Sequence, residues 1–191
     1  MESNLIVIIE GPSGVGKDTV INALLDRHPD RFGRPINACT RPMRENESQN
    51  NPYYFISEEE FKRLRQSGDI FEETIRHGSY RGMRKASFDE ILNSGKIALR
   101  DCDRYGLEAI SKVYPKEQIL SVFITAPKEE IKKRLINRNE PKESMEIRLK
   151  DYDEHIKQRK YFEYEIENID LEKTIKTLLN LIDEKEKSLK A

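Results

Sequence analysis

Long apolar runs are missing from this chain: the longest, Leu5 to Ile9, falls far short of the roughly 20 residues a membrane-spanning helix requires. No charged, apolar, small-residue leader opens the sequence either, so we expect a cytoplasmic protein without a membrane partner. Cysteine is scarce. Cys39 and Cys102 alone cannot make a disulfide framework or a metal cluster, and buried small side chains are the expectation. An excess of one charge is also absent, because 34 Lys and Arg against 35 Asp and Glu leave a net charge of -1. No global field then draws in nucleic acid, and any anion site has to be local. The histidines, His28, His77 and His155, have neither metal-ligand spacing nor the setting of a catalytic triad. Repeats and low-complexity linkers are lacking, and 191 residues suit one core with subdomains, so residues 1–191 read as a single domain.

What is present is strongly ordered. "NLIVIIE" (4–10) is a nearly continuous β-branched run ending at a glycine loop, as expected of a strand buried on both faces of a parallel sheet. In "KDTVINALLDRH" (17–28), Val20, Ile21, Leu24 and Leu25 recur at helical spacing until Pro29 stops the helix. Similar apolar runs at 96–103 and 118–125 are each followed by a helical pattern, at 104–113 and 127–137. Strands alternating with helices predict a three-layer α/β/α fold around a parallel sheet, here with residues 1–39 and 90–191 as its core.

Residues from about 40 to 89 follow another pattern. A short strand in 50–57, a helix over 57–68 with Ser57 and Glu60 spaced as a capping box, and a hairpin over 69–82 predict a small inserted α+β lobe. The polar break "NRNEPKES" (137–144) separates two helices, and about 134–150 reads as a short helical lid. "FEYEIEN" (162–168) alternates as a last strand, and a terminal helix runs from 171 to about 187, its end fraying into a Lys/Glu run.

Gly11, Pro12, Ser13, Gly14, Val15, Gly16 and Lys17 have the spacing of a phosphate-binding loop. Glycines let the backbone approach phosphates, the amides point inward, and the lysine at a helix start reaches the terminal phosphates. The residue after Lys17, commonly a hydroxyl, is Asp18. At an effective dielectric near 20, a carboxylate about 4 Å from a like charge is repelled by about 4 kcal/mol. A direct Mg²⁺ contact doubles the opposing charge at about half the distance, so the attraction is on the order of four times larger. Asp18 is therefore expected on the metal side, directly or through water, with Thr19 left to bond a phosphate oxygen.

Beyond the loop the chain resembles the guanylate kinase family over nearly its whole length, in "CTRPMR" (39–44), "IFEE" (70–73), Asp101-Cys102-Asp103 with Gly106, and "KKRLINRN" (132–139). The resemblance implies a P-loop nucleoside monophosphate kinase that moves the ATP γ-phosphate to GMP or dGMP, with Mg²⁺. It implies an acceptor-phosphate grip by Arg41, Arg44 and Tyr53, guanine reading by Glu72, and a site contribution from Asp101 and Asp103. Lid arginines Arg134, Arg138 and Arg148 would grip ATP and the transferring phosphate, and Asn168 would stand at the adenine pocket. Arginine forks suit phosphate oxygens, and phosphoryl transfer asks for positioning and charge neutralisation.

The chain departs from the family at three acceptor positions: Asn37 for a serine, Arg81 for a tyrosine, and Met83 for a hydroxyl residue. Asn37 can both donate and accept, Arg81 can reach the acceptor phosphate, and Met83 can donate nothing. Glu72 favours guanine, whose N1-H and N2-H face a carboxylate. Two other readings stand beside this one. The Gly-Lys-Asp variant is shared with a related ribose 1,5-bisphosphate kinase and some deoxynucleotide kinases, and a catalytically silent guanylate-kinase-like binding module is a third possibility. Retention of Lys17 and every loop glycine weighs against the last. The sequence is compatible with a monomer or a homodimer.

Overall fold

The computed structural model describes residues 4–138 and 141–190. The first apolar run forms β1 (Ile6–Glu10), buried throughout, and the glycine loop leads directly into α1 (Lys17–Arg27). Two short strands, β2 (Phe32–Gly33) and β3 (Ala38–Cys39), precede β4 (Tyr54–Phe55) and α2 (Glu58–Gln66). The hairpin of β5 (Ile70–Arg76) and β6 (Ser79–Arg84) then runs into α3 (Lys85–Asn93). Strand β7 (Ile97–Asp101) with α4 (Arg104–Val113), and β8 (Ile119–Thr125) with α5 (Lys128–Asn137), repeat the opening pattern. The chain finishes through α6 (Lys142–Lys150), α7 (Tyr152–Ile156), β9 (Tyr164–Glu167) and α8 (Leu171–Lys190).

Five strands form one parallel sheet in the order β2-β7-β1-β8-β9. Burial on both faces explains why β1 and β8 read as unbroken apolar runs. Alternate residues feed two cores. Val7 and Ile9 join Val20, Leu24 and the α8 residues Ile175 and Leu178, whereas Ile6 and Ile8 join Phe88, Ile110 and Phe123. Each such side chain contributes about 1.5–3 kcal/mol by leaving water. The carboxyl ends of β1 and β7 consequently emerge together, with Ile9 opposite Asp101.

A second sheet, in the order β4-β3-β6-β5, builds the lobe. Ala38 and Cys39 pair with Gly82 and Arg81, so the lobe sheet takes in residues just ahead of 40. At its other end Phe88 and Leu92 of α3 pack into the main core. The capping box is half made: Ser57 accepts the Glu60 N–H at 3.1 Å, but the Glu60 carboxylate turns to Arg63 at 2.6 Å. The terminal helix does not fray where expected but continues to Lys190, because good helix formers extend it and Arg31 ties Asp183 and Glu186 back to the core. Residues 139 and 140 of the expected break lie outside the described residues. Among the described residues no helix is long and apolar enough to cross a membrane.

Candidate active site

The loop between β1 and α1 is held from several sides. A Cβ at Gly11 would lie 2.1 Å from the Ile124 carbonyl oxygen, so only glycine lets the loop pass this close to β8. Gly16 has φ 103°, a left-handed conformation open to glycine, and a Cβ there would meet the Asn168 amide at 2.8 Å. Asn168 is buried: its Nδ2 donates to Val15 O at 2.8 Å, and its Oδ1 accepts from Thr174 at 3.0 Å. Through these two bonds Asn168 braces the loop from behind. Buried Val15 and half-buried Ser13 and Gly14 complete the turn, and Thr19 is exposed on the first turn of α1.

Lys17 donates to Gly11 O at 2.5 Å and Pro12 O at 3.4 Å, which keeps its ammonium over the loop. Two of the three lid arginines reach the same place. Arg134 donates to Val15 O at 3.0 Å and Asn168 O at 2.7 Å, and Arg148 donates to the Ser13 hydroxyl. Arg138 lies exposed at the end of α5.

Asp18 is three-quarters exposed and is paired with a residue that sequence reasoning passed over. Arg34 Nη2 donates to Asp18 Oδ1 at 3.1 Å and to Asp101 Oδ1 at 2.9 Å. One guanidinium thus joins the acid of the loop helix to the acid at the end of β7. Asp103 faces a different task, since its carboxylate caps α4 by accepting the N–H groups of Tyr105 and Gly106, each at 3.0 Å.

A cleft of about 860 Å³ runs between sheet and lobe, from Glu10 at the root of the loop past Asp101 and Asp103 to Asn37, Tyr53, Glu72, Arg81 and Met83. Six of the eight residues expected at the acceptor site therefore share one cavity. The other two, Arg41 and Arg44, lie beside it on the loop after β3. Arg41 makes a fork-to-fork pair with Glu47, both bonds 2.6 Å, while Arg44 is exposed and its backbone N–H reaches the same carboxylate at 2.9 Å. The Arg41 pairing pushes the Glu47 carboxyl down to about 2, helped by the Arg44 amide. Arg41 and Arg81 both lie over the Tyr53 ring, at 5.5 and 5.0 Å from its centre, so cations crowd the end of the cleft where an acceptor phosphate would sit.

Burial raises the Glu72 carboxyl above the ordinary carboxylate range, against the pull of Arg100. Glu10 is shifted further, up to about 7, because burial outweighs attraction to Lys17. Its sequence signal was an acid closing an otherwise apolar strand. The folded value exceeds the unfolded one, so protons favour folding here; the stability Glu10 permits falls as pH rises from about 4.5 to about 7 and stays low above. Glu10→Gln is accordingly expected to be more stable than the natural chain at pH 8, by about 3 kcal/mol, and no more stable at pH 4. Melting curves at the two pH values check this, and an equal gain at both would assign the shift to something other than burial.

Of the expected buried cysteines, Cys39 is fully enclosed, and burial drives the half-buried Cys102 thiol far above its ordinary value. His28 and His77 are exposed, and half-buried His155 lines the cleft. Among the described residues no group of His, Cys, Asp and Glu is arranged to hold a metal by itself.

Comparison with known proteins agrees with this geometry. A family model described as "Guanylate kinase" matches residues 3–185. A guanylate kinase of Prochlorococcus marinus is 36% identical over 179 residues, covering 93% of this chain and 96% of the relative. One from Helicobacter pylori is 36% identical over 178 residues, covering 92% of this chain and 85% of the relative. The crystal structure of guanylate kinase from Anaplasma phagocytophilum superposes with a TM-score of 0.69 at 25% identity, over 97% of this chain and 88% of that one.

Proposed function

The chain belongs to the guanylate kinase family, and from that premise we propose how its cleft carries out ATP-dependent phosphoryl transfer to GMP. The observation that carries the reading is the shared cavity: it begins at Glu10, the residue just before the phosphate loop, and takes in Tyr53, Glu72 and Arg81. ATP lies along residues 11–19, its terminal phosphates held by loop amides and Lys17. The acceptor monophosphate lies along the cleft, its phosphate gripped by Arg41, Arg81 and Tyr53 with Arg44 at the rim. Arg134 and Arg148, already at the loop, neutralise charge on the transferring group, and Arg138 joins them from the helix end. The attacking phosphate oxygen is ionised already, so no general base is required and the lack of a site histidine in a triad costs nothing.

Magnesium with ATP fits the residues present. The Asp18 and Asp101 oxygens converge on one cationic point, where Arg34 Nη2 now stands, and hard oxygen donors suit this ion. Asp18 would hold it, directly or through water, while Arg34 retains Asp101. An ion held there would supply charge neutralisation for the bound polyphosphate. Both deoxy and ribo acceptors are accommodated in this reading, and a kinase drawing on ATP pools belongs in the cytoplasm.

An acceptor panel of GMP, dGMP, AMP, IMP and ribose 1,5-bisphosphate, followed by ADP release across a magnesium titration, tests the assignment. GMP or dGMP should lead by at least tenfold, and Asp18→Ala, which leaves no oxygen donor, should raise the magnesium requirement by about 10- to 100-fold. A different leading acceptor would remove the guanine assignment and leave the kinase; an unaltered magnesium requirement would remove Asp18 from the metal.

A further inference from the structure

Arg100 is a charged side chain in the cleft to which neither the sequence nor the family resemblance gives a task. Alternation along β7 sends Ile97 and Leu99 into the core against α1 and α8, and Ala98 into the opposite core with Ile8, Met83 and Phe88. Arg100, two residues beyond Ala98, emerges on that second face and lines the cleft together with Glu72 and Met83. Its hydrogen bonding is poorly met. Nη1 reaches Pro35 O only at 3.4 Å, and Nε is buried with no partner among the described residues. A guanidinium nitrogen buried without a partner is costly unless something else accepts its proton, although the Arg100 side chain as a whole is half-buried. Its charge is felt at Glu72 and at Cys102, where it is the foremost charge opposing the effect of burial, so all three groups share one pocket.

The chemistry of the base supplies the missing acceptors. Guanine offers two donors, N1-H and N2-H, on the edge a carboxylate can accept, and two acceptors, O6 and N7, on the adjoining edge. Glu72 answers the first edge, and Met83 has no proton to give the second. A guanidinium fork matches O6 and N7 together, whereas adenine would turn its N6 donor toward the same fork. We propose that Arg100 is the specificity-determining donor for the O6 and N7 edge of the acceptor guanine, working opposite Glu72. The inference rests on GMP being the acceptor and adds the residue that selects it.

Calorimetry with GMP, AMP and 7-deaza-GMP, which lacks the N7 acceptor, tests this on the intact chain and on Arg100→Met and Arg100→Lys. The natural chain should bind GMP about tenfold or more tighter than the 7-deaza analogue. Arg100→Met should lose about 10- to 100-fold for GMP, bind the two nearly alike, and keep its ATP affinity, with Arg100→Lys between. If Arg100→Met still separates GMP from the analogue, or the natural chain never does, the proposal is overturned while guanine preference stands. Equal binding of AMP and GMP by the natural chain would instead overturn the acceptor reading and this inference with it. Should Arg100→Met lose ATP binding through misfolding, the natural chain's response to the analogue and the lysine variant decide.

Discussion

Lys17→Met is expected to lower kcat by about a thousandfold, the order of loss seen when a preorganised group facing transition-state charge is removed. Methionine keeps the length of the stem and takes away the ammonium, so packing on the first turn of α1 is retained. Lys17 touches the loop through two carbonyls, Gly11 O and Pro12 O, contacts that methionine cannot make but that a half-exposed residue gives up at little cost. Stability should therefore change by less than about 1 kcal/mol, while charge on the transferring phosphate loses its fixed partner. ADP release under saturating substrates, with a melting curve beside it, separates the two effects. A fall of less than tenfold in kcat would mean that the arginines around the loop carry the neutralisation without the lysine.

Arg41→Met should reduce kcat/KM for GMP by about 100- to 1,000-fold, the range associated with truncating one member of a shielded charge pair. Two effects act in the same direction. The fork that would grip the acceptor phosphate is lost, and the Glu47 carboxylate, no longer paired at 2.6 Å, is left as a negative charge beside an incoming dianion. Arg41 and Glu47 side chains are only 15% and 13% exposed, so water screens that charge incompletely. Arg41→Lys should recover little, because an ammonium cannot reproduce the fork that also lies over the Tyr53 ring. Glu47→Gln is the informative companion. It releases Arg41 without adding repulsion, and a loss as large as that of Arg41→Met would show that the pair shapes the loop and does not grip phosphate.

Several candidate site residues were legible because local order alone singles them out. The glycine spacing, Lys17 and Asp18 announce themselves between an apolar strand and a helix, whereas Asp101 and Asp103 were singled out only through the family resemblance. Others were legible by type but not by task. For Asn168 the resemblance implied a place at the adenine pocket, and the structure adds bonds of its amide to Val15 and Thr174, partners 153 and 6 residues away. Arg34 and Arg100 carried no signal at all, being two among 34 basic residues.

The linear sequence by itself determined the parallel sheet, the phosphate loop and the helix that follows it, because apolar period, glycine placement and helix stops act between near neighbours. It also determined that any anion site would be local, since 34 positive and 35 negative charges nearly cancel. Only the tertiary structure decided how those charges are used. Asp18 meets Arg34 across 16 residues and Arg34 meets Asp101 across 67, and the shift of Glu10 arises from burial that no neighbour in sequence creates. Coulomb energies and desolvation depend on distance and on surrounding matter, and both are set when the sheet and lobe close around the cleft.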